Sequence, residues 1–196
     1  MQTLANIAIY IINTLGTLYV SLVLIRFLAQ LVRADYYNPV SKALAQYTNP
    51  LLVPLRKIIP GFMGIDLAAI VLAILLQAAL LQSLYLLNGD GLINPFLLFI
   101  WAIVSLLSLL AGIYFWGVIV LMISSWVAQG SRNPALGLLQ QILEPVMAPF
   151  RKILPPLGML DLSPILFFML LNIIRAYVLP ALASMTGMIP IPGFSV

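Results

Sequence analysis

The chain reads as an all-α membrane protein with four transmembrane helices, arranged as two tandem helical hairpins with amphipathic interfacial helices in the cytoplasmic connections. Two observations lead there. Of 196 residues, 63% are hydrophobic and 7% charged, which leaves too little polar surface to clothe a soluble globule. The chain also contains itself twice: the stretch from Asn49 to Pro60, NPLLVPLRKIIP, returns between Glu144 and Pro155 as EPVMAPFRKILP. Pro50, Pro54, Arg56, Lys57, Pro60 and Asp66 recur at a constant offset of 95 residues as Pro145, Pro149, Arg151, Lys152, Pro155 and Asp161. A period this long, with prolines and charges in phase, marks a duplicated structural unit.

A bilayer crossing needs roughly 20 apolar residues, and four stretches are long enough, near 4–27, 67–87, 96–127 and 162–184. No basic residue precedes Arg26, so the first stretch lacks the charged start of a secretory signal and is expected to be retained. The third is long for one crossing and should tilt, protrude, or bend near Gly112 or Gly117. The turn-rich segment from Asn88 to Pro95 divides repeat 1 (1–90) from repeat 2 (91–196) within one membrane domain. Each repeat is then a helix, a long proline-rich connection and a second helix.

Charge orients the hairpins. Arg26, Arg33, Lys42, Arg56, Lys57, Arg132, Arg151 and Lys152 all lie in or beside the two connections, whereas the linker and both chain ends carry no basic residue. The positive-inside rule places both connections in the cytoplasm and both termini outside it. With two crossings per unit the copies run in the same sense, related by an approximate twofold along the membrane normal.

Within the connections, Asn-Pro is a helix-start signal, with Asn as N-cap and Pro where a missing N–H costs nothing. Asn38-Pro39, Asn49-Pro50 and Asn133-Pro134 fit it, which predicts two short helices in each connection. Leu51, Leu52, Leu55, Ile58 and Ile59 share one helical face, with Arg56 and Lys57 opposite; Val146, Met147, Phe150, Ile153 and Leu154 repeat the pattern. This is the form of an interfacial helix with its apolar side in the acyl boundary. On an anionic surface each of Arg56, Lys57, Arg151 and Lys152 contributes roughly 1 kcal/mol. These four residues are the candidate contacts for anionic lipid or for other membrane proteins, against the plainer alternative of a linker that orients the hairpin.

At the inner end of the first helix Arg26, Gln30 and Arg33 are spaced i, i+4, i+7 on one face. Ser125, Gln129 and Arg132 keep that spacing in repeat 2, and repeat 1 carries four extra residues, Ala34 to Tyr37, before the register is regained. The stripe reads either as long side chains snorkelling to headgroups or as a binding feature. Asp66 and Asp161 each open a transmembrane helix, where a carboxylate serves as N-cap; the alternative, a paired-aspartate hydrolase, has no other support in the chain. Gln77 and Asn172 recur in mid-helix and, in a pseudo-twofold structure, could meet near the repeat axis, as interhelical glue or as a polar step in a permeation path. Arg175, with Leu80 at its repeat position, is an intramembrane arginine that is either functional or snorkelling.

The chain has no histidine and no cysteine, which removes the usual haem and zinc ligands, thiolate nucleophiles and disulfides. No catalytic residue, cofactor, metal or nucleic-acid partner is expected.

The duplicated Pro-x3-Pro-x-Arg-Lys-Ile-x-Pro segment, each copy followed by a helix-opening Asp, together with Asp161-Leu-Ser-Pro164, resembles the YggT family of small bacterial membrane proteins, related to plastid Ycf19-type proteins. The resemblance spans nearly the whole chain; its first copy has Asp66-Leu-Ala-Ala where the second has Asp161-Leu-Ser-Pro. It implies a bacterial inner-membrane location. Bacterial members are connected with osmotic stress and ion balance, and plastid relatives with cytochrome b6 haem attachment and membrane organisation. Without His or Cys the chain is unsuited to direct haem chemistry. The resulting expectation is a non-enzymatic accessory or scaffold protein; the alternative is a small ion or osmolyte channel or transporter, which with four helices per chain would need a homo-oligomer.

Overall fold

The computed structural model describes residues 2–127, 133–154 and 162–188. Among them all regular structure is helical: α1 (Gln2–Leu31), α2 (Pro39–Ile58), α3 (Leu67–Asn88), α4 (Pro95–Val127), α5 (Pro134–Ile153), α6 (Ser163–Ile173), a π-helical turn (Ile174–Val178) and α7 (Leu179–Met185). Four helical spans are long and apolar enough to cross a bilayer: Thr3–Leu31, Leu67–Asn88, Pro95–Ser124 and Ser163–Met185. The third belongs to the 33-residue helix α4, roughly 50 Å long at about 1.5 Å per residue, well beyond a hydrocarbon core of about 30 Å.

Each repeat wraps two long helices around an amphipathic one. In repeat 1, α1 packs along α3, and α2 lies across both. In repeat 2, α4 packs on α6 and α7, with α5 against α4 and α6. The halves meet through α3 and α4, α1 and α4, and α2 and α5. α3 and α4 are joined by the turn-rich linker: Gly89 ends α3 at φ +91, Asp90 N donates back to Tyr85 O at 3.0 Å, and Gln82 holds Gly91 O and Ile93 N. Nearby, the Tyr85 and Trp101 rings lie 5.5 Å apart at a 37° tilt and Trp101 Nε1 donates to Thr186 O at 3.0 Å, closing the end of the bundle remote from α2 and α5.

α1 and α3 approach closely because α1 carries Gly16 where they cross. A Cβ at that position would fall 2.6 Å from Leu80 Cδ1. Below this crossing Val20, Val23, Leu24, Ala68, Ala69, Leu72 and Ala73 form a core that Leu52 of α2 completes, with no exposed surface on Leu52.

Two expectations are corrected here. First, each described connection holds one 20-residue helix rather than two short ones: α2 runs through Pro50 and Pro54, and α5 through Pro145 and Pro149. A proline inside a helix withholds one backbone donor and crowds the carbonyl four residues back. In α2, donors from α1 reach the carbonyls around that gap: Arg26 Nη1 to Ala45 O at 3.2 Å and Tyr19 Oη to Tyr47 O at 3.3 Å. Tertiary contacts thereby carry the helix across its prolines. Second, the apolar stripe of α2 is divided, because part of it seals protein rather than lipid. Leu52, Leu55 and Ile59 pack against α1 and α3, while Leu51 and Ile58 remain exposed. In α5, Met147 is buried and Val146 and Phe150 half-buried beside Phe167, with Ile153 exposed. The last span, expected over 162–184, is Ser163–Met185 and runs through Pro180. The helix widens to a π turn immediately before that proline, and Leu179 N donates to Ile174 O.

Candidate functional site

The polar residues of repeat 1 gather at the end of α1 where α2 and α3 meet it. α1 terminates with Ala34 N donating to Ala29 O at 2.8 Å and Arg33 N to Gln30 O at 3.1 Å. This is a Schellman-type ending with Arg33 at the left-handed position, φ +54, where glycine is the usual residue. The chain then turns through Asp35, whose Oδ1 accepts from Tyr37 N at 2.8 Å, and α2 starts when Asn38 Oδ1 accepts from Val40 N at 2.8 Å.

Arg26, one turn before Gln30, does not reach out to a headgroup. It is half-buried, and its Nη1 donates to Ala45 O and to Thr48 Oγ1. Thr48 is fully buried, and its hydroxyl donates a hydrogen bond to Leu44 O at 2.6 Å. The arginine is thus a pin between α1 and the middle of α2.

Arg56 also points inward. It forms an ion pair with Asp66, through Nη2 and through Nε at 3.1 Å, and its Nη2 also donates to Gln30 Oε1 at 2.8 Å. Asp66 is buried, and its other oxygen accepts from Ala69 N at 3.3 Å, capping α3. A tight turn delivers it there: Phe62 and Ile65 exchange backbone hydrogen bonds around Met63 and Gly64, both at positive φ. The expectation that Arg56 faces headgroups as a free cation is therefore corrected, because a buried carboxylate ten residues away claims it. Lys57 stays exposed.

Between α1 and α2 these side chains enclose a cavity of about 310 Å³ lined by Arg26, Gln30, Arg33, Tyr36, Ser41 and Arg56, with Ala29, Leu44 and Ala45 as apolar wall. Ser41 Oγ is buried without a hydrogen-bond partner among the described residues. Tyr36 comes from the four-residue stretch that repeat 1 has in excess of repeat 2.

Repeat 2 does not duplicate this chemistry. Leu136 and Leu143 stand at the repeat positions of Ser41 and Thr48, and Ser125 at that of Arg26. Gln129 and Asp161 lie outside the described residues, as does Arg132. Arg151 is paired with Glu144 on its own helix, and Lys152 is exposed.

The intramembrane candidates do not converge. Gln77 is buried in α3, with Oε1 unpartnered among the described residues. Asn172 is exposed and donates to Phe168 O at 3.0 Å within its own helix. α3 and α6 are not neighbours among the described elements, so the expected meeting of the two amides does not occur. The reason is that the halves are joined through α3 and α4 instead. Arg175 sits in the π turn with its guanidinium 4.4 Å over the Phe115 ring, which itself stacks on Phe168 at 4.8 Å.

What sequence reasoning missed was visible as a co-recurring pair of opposite charges: Arg56 and Asp66, and again Arg151 and Asp161, ten residues apart in a chain almost devoid of acids. The Arg26–Thr48 contact had no such signal, since neither residue recurs.

The fold is that of a multi-pass, membrane-type helical protein built from two repeats. The chain belongs to the CCB3/YggT family, whose model matches residues 5–87 and 100–182, one match per repeat. It is 52% identical over 190 residues to an uncharacterized protein of Pseudomonas aeruginosa, with 96% of each chain covered. It is 33% identical over 190 residues to the uncharacterized protein YggT of Escherichia coli K12, covering 96% of this chain and 97% of the relative. A Vibrio alginolyticus relative, also uncharacterized, is 38% identical over 160 residues, covering 81% of this chain and 86% of its own. No solved structure gives a significant match.

Proposed function

We propose that this protein is a non-enzymatic accessory protein of the bacterial inner membrane that organises or assists other membrane components and thereby contributes to tolerance of osmotic stress. In this reading α2 and α5 face the cytoplasm, both termini lie outside it, and the exposed ends of the two amphipathic helices form the contact surface for anionic lipid and for other membrane proteins.

The observation that carries it is that α2 and α5 are one surface. They pack against each other, and two cross-repeat hydrogen bonds tie them: Asn38 Nδ2 to Pro134 O at 2.7 Å at their starts, and Asp35 N, just before α2, to Gln141 Oε1 two turns into α5 at 3.0 Å. Lys57 and Ile58 on α2, and Lys152 and Ile153 on α5, are exposed at the matching ends. Cations beside exposed apolar side chains suit the boundary between headgroups and acyl chains. The alternative of an ion or osmolyte pathway has less support, because Gln77 and Asn172 are apart and Arg175 is covered by an aromatic ring.

The test is photo-crosslinking in intact membranes from positions 57 and 152 in turn. A docking surface yields one common adduct from both positions, reduced from position 57 by Lys152→Gln and from position 152 by Lys57→Gln. Adducts that differ between the positions, or that match those from exposed Ile11 on the apolar span of α1, would reject it. Purified protein in proteoliposomes should pass ions and osmolytes no faster than empty vesicles.

A further inference from the structure

We propose that the cavity between α1 and α2 binds a phosphate-bearing anion. Three guanidinium groups, those of Arg26, Arg33 and Arg56, line one space, and Asp66 against Arg56 is the carboxylate that answers them. Three cations stand against Asp66 and against Asp35, which lies in the chain between the lining residues Ala34 and Tyr36, so the site keeps a net positive charge. Like charges gathered in a partly buried space repel one another unless an anion shares it.

The donors needed to hold that anion are unspent. Arg26 uses only Nη1 on α2, and Arg56 uses Nε and Nη2 on Asp66 and Gln30. Their other N–H groups, and the whole Arg33 guanidinium, have no hydrogen-bond partner among the described residues. Ser41 adds a buried hydroxyl with none. So many donors exceed what the two oxygens of a carboxylate can accept and suit the three oxygens of a phosphate group, which guanidinium forks engage in pairs.

Arg33 supplies an independent sign. An arginine in the left-handed region costs about 1–2 kcal/mol relative to the right-handed helix, and residues held at such cost cluster at ligand sites. Here the conformation ends α1 at the cavity that Arg33 lines. A cavity of about 310 Å³ is large enough for one phosphate-bearing headgroup or one small phosphorylated solute.

Two sources share this chemistry. The cavity lies at the end of a membrane-crossing helix, where phospholipid phosphates reside, and its exposed residues Gln30, Arg33 and Tyr36 also leave it open to solutes. The site is separate from the α2–α5 contact surface, since Lys57 and Lys152 do not line it, and it does not depend on the scaffold reading.

The experiment uses the full chain with two probes. Inorganic phosphate is titrated calorimetrically into protein in neutral detergent, and bound lipid is counted by native mass spectrometry after extraction from vesicles of phosphatidylglycerol and phosphatidylcholine. The variants are Arg33→Gly, which removes the guanidinium and suits the left-handed backbone, and Ser41→Ala, which removes the hydroxyl at nearly constant volume. The wild type should hold one phosphate, or one phosphatidylglycerol, at least about tenfold more tightly than the double variant, the effect of losing one charge-assisted hydrogen bond. Phosphate bound in lipid-free protein identifies a soluble anion; retained phosphatidylglycerol that phosphate does not displace identifies the headgroup. Thermal melting of Arg33→Gly at or above the wild-type temperature verifies the fold. If neither probe binds one-to-one, or if binding survives the double substitution in folded protein, the proposal is wrong.

Discussion

Arg56 and Asp66 form an ion pair that closes repeat 1 where α2 meets α3, holding the last turn of α2 against the first turn of α3. The partners are unequally placed: the Asp66 side chain is 5% exposed and that of Arg56 37%. Removing either should therefore have unequal effects.

Arg56→Gln strands a buried carboxylate and should destabilise the protein by about 3 kcal/mol. Asp66→Asn frees a guanidinium that water can reach and leaves an amide able to cap α3, so its effect should be about 1 kcal/mol. Thermal unfolding in detergent should rank Arg56→Gln as the more harmful; the reverse order would contradict the geometry.

Close approach at Gly16 predicts a compensating pair. Gly16→Ala drives a methyl into Leu80 and should cost about 1–3 kcal/mol, while Leu80→Ala opens room for it. The double variant should be more stable than the sum of the single effects requires, and additive losses in the same melting assay would show that α1 and α3 do not touch there.

Thr48→Val keeps the shape of a fully buried side chain but removes the acceptor for Arg26. The expected loss is about 1.5–3 kcal/mol, the range for a hydrogen bond to a charged group. Hydrogen exchange should quicken locally over 44–52, where α2 crosses its prolines, and be unchanged in α4.

The two cross-repeat hydrogen bonds beside α2 and α5 are solvent-accessible, so each is worth only about 0.5–1.5 kcal/mol. Asn38→Asp, which keeps the capping oxygen of α2 but loses the donor to Pro134 O, combined with Gln141→Ala should leave the melting temperature nearly unchanged while broadening the distance distribution between spin labels at Lys57→Cys and Lys152→Cys. The chain has no native cysteine, so labelling is site-specific. An unbroadened distribution would mean that apolar packing alone joins α2 to α5.

Much of the architecture was legible because it depends on length, apolarity and register. Four apolar stretches became four membrane-length spans, and Asn38-Pro39 and Asn133-Pro134 mark the starts of α2 and α5. The continuity of α2 through Pro50 and Pro54 was not legible. Local propensity argues for a break there, and contacts from Arg26, Tyr19 and the core around Leu52 override it. Helical projection likewise assigns Arg56 to a polar face without distinguishing water from a carboxylate, and only the matched spacing of Arg56 to Asp66 in both repeats pointed to the latter. The cavity escaped because the expectation favoured positions where the halves agree, whereas Arg26, Ser41 and Thr48 are places where they differ.

That difference sets how the molecule would respond to an occupant. Leu136 and Leu143 make repeat 2 a partner without the same receptor, so occupancy is a one-sided load on a nearly two-sided frame. Any displacement it causes would begin in α2, which is clamped to α3 by Arg56 and to repeat 2 by Asn38. It would reach α5 as a shear across two hydrogen bonds, and a duplicated protein would thereby work as a lever with one loaded arm.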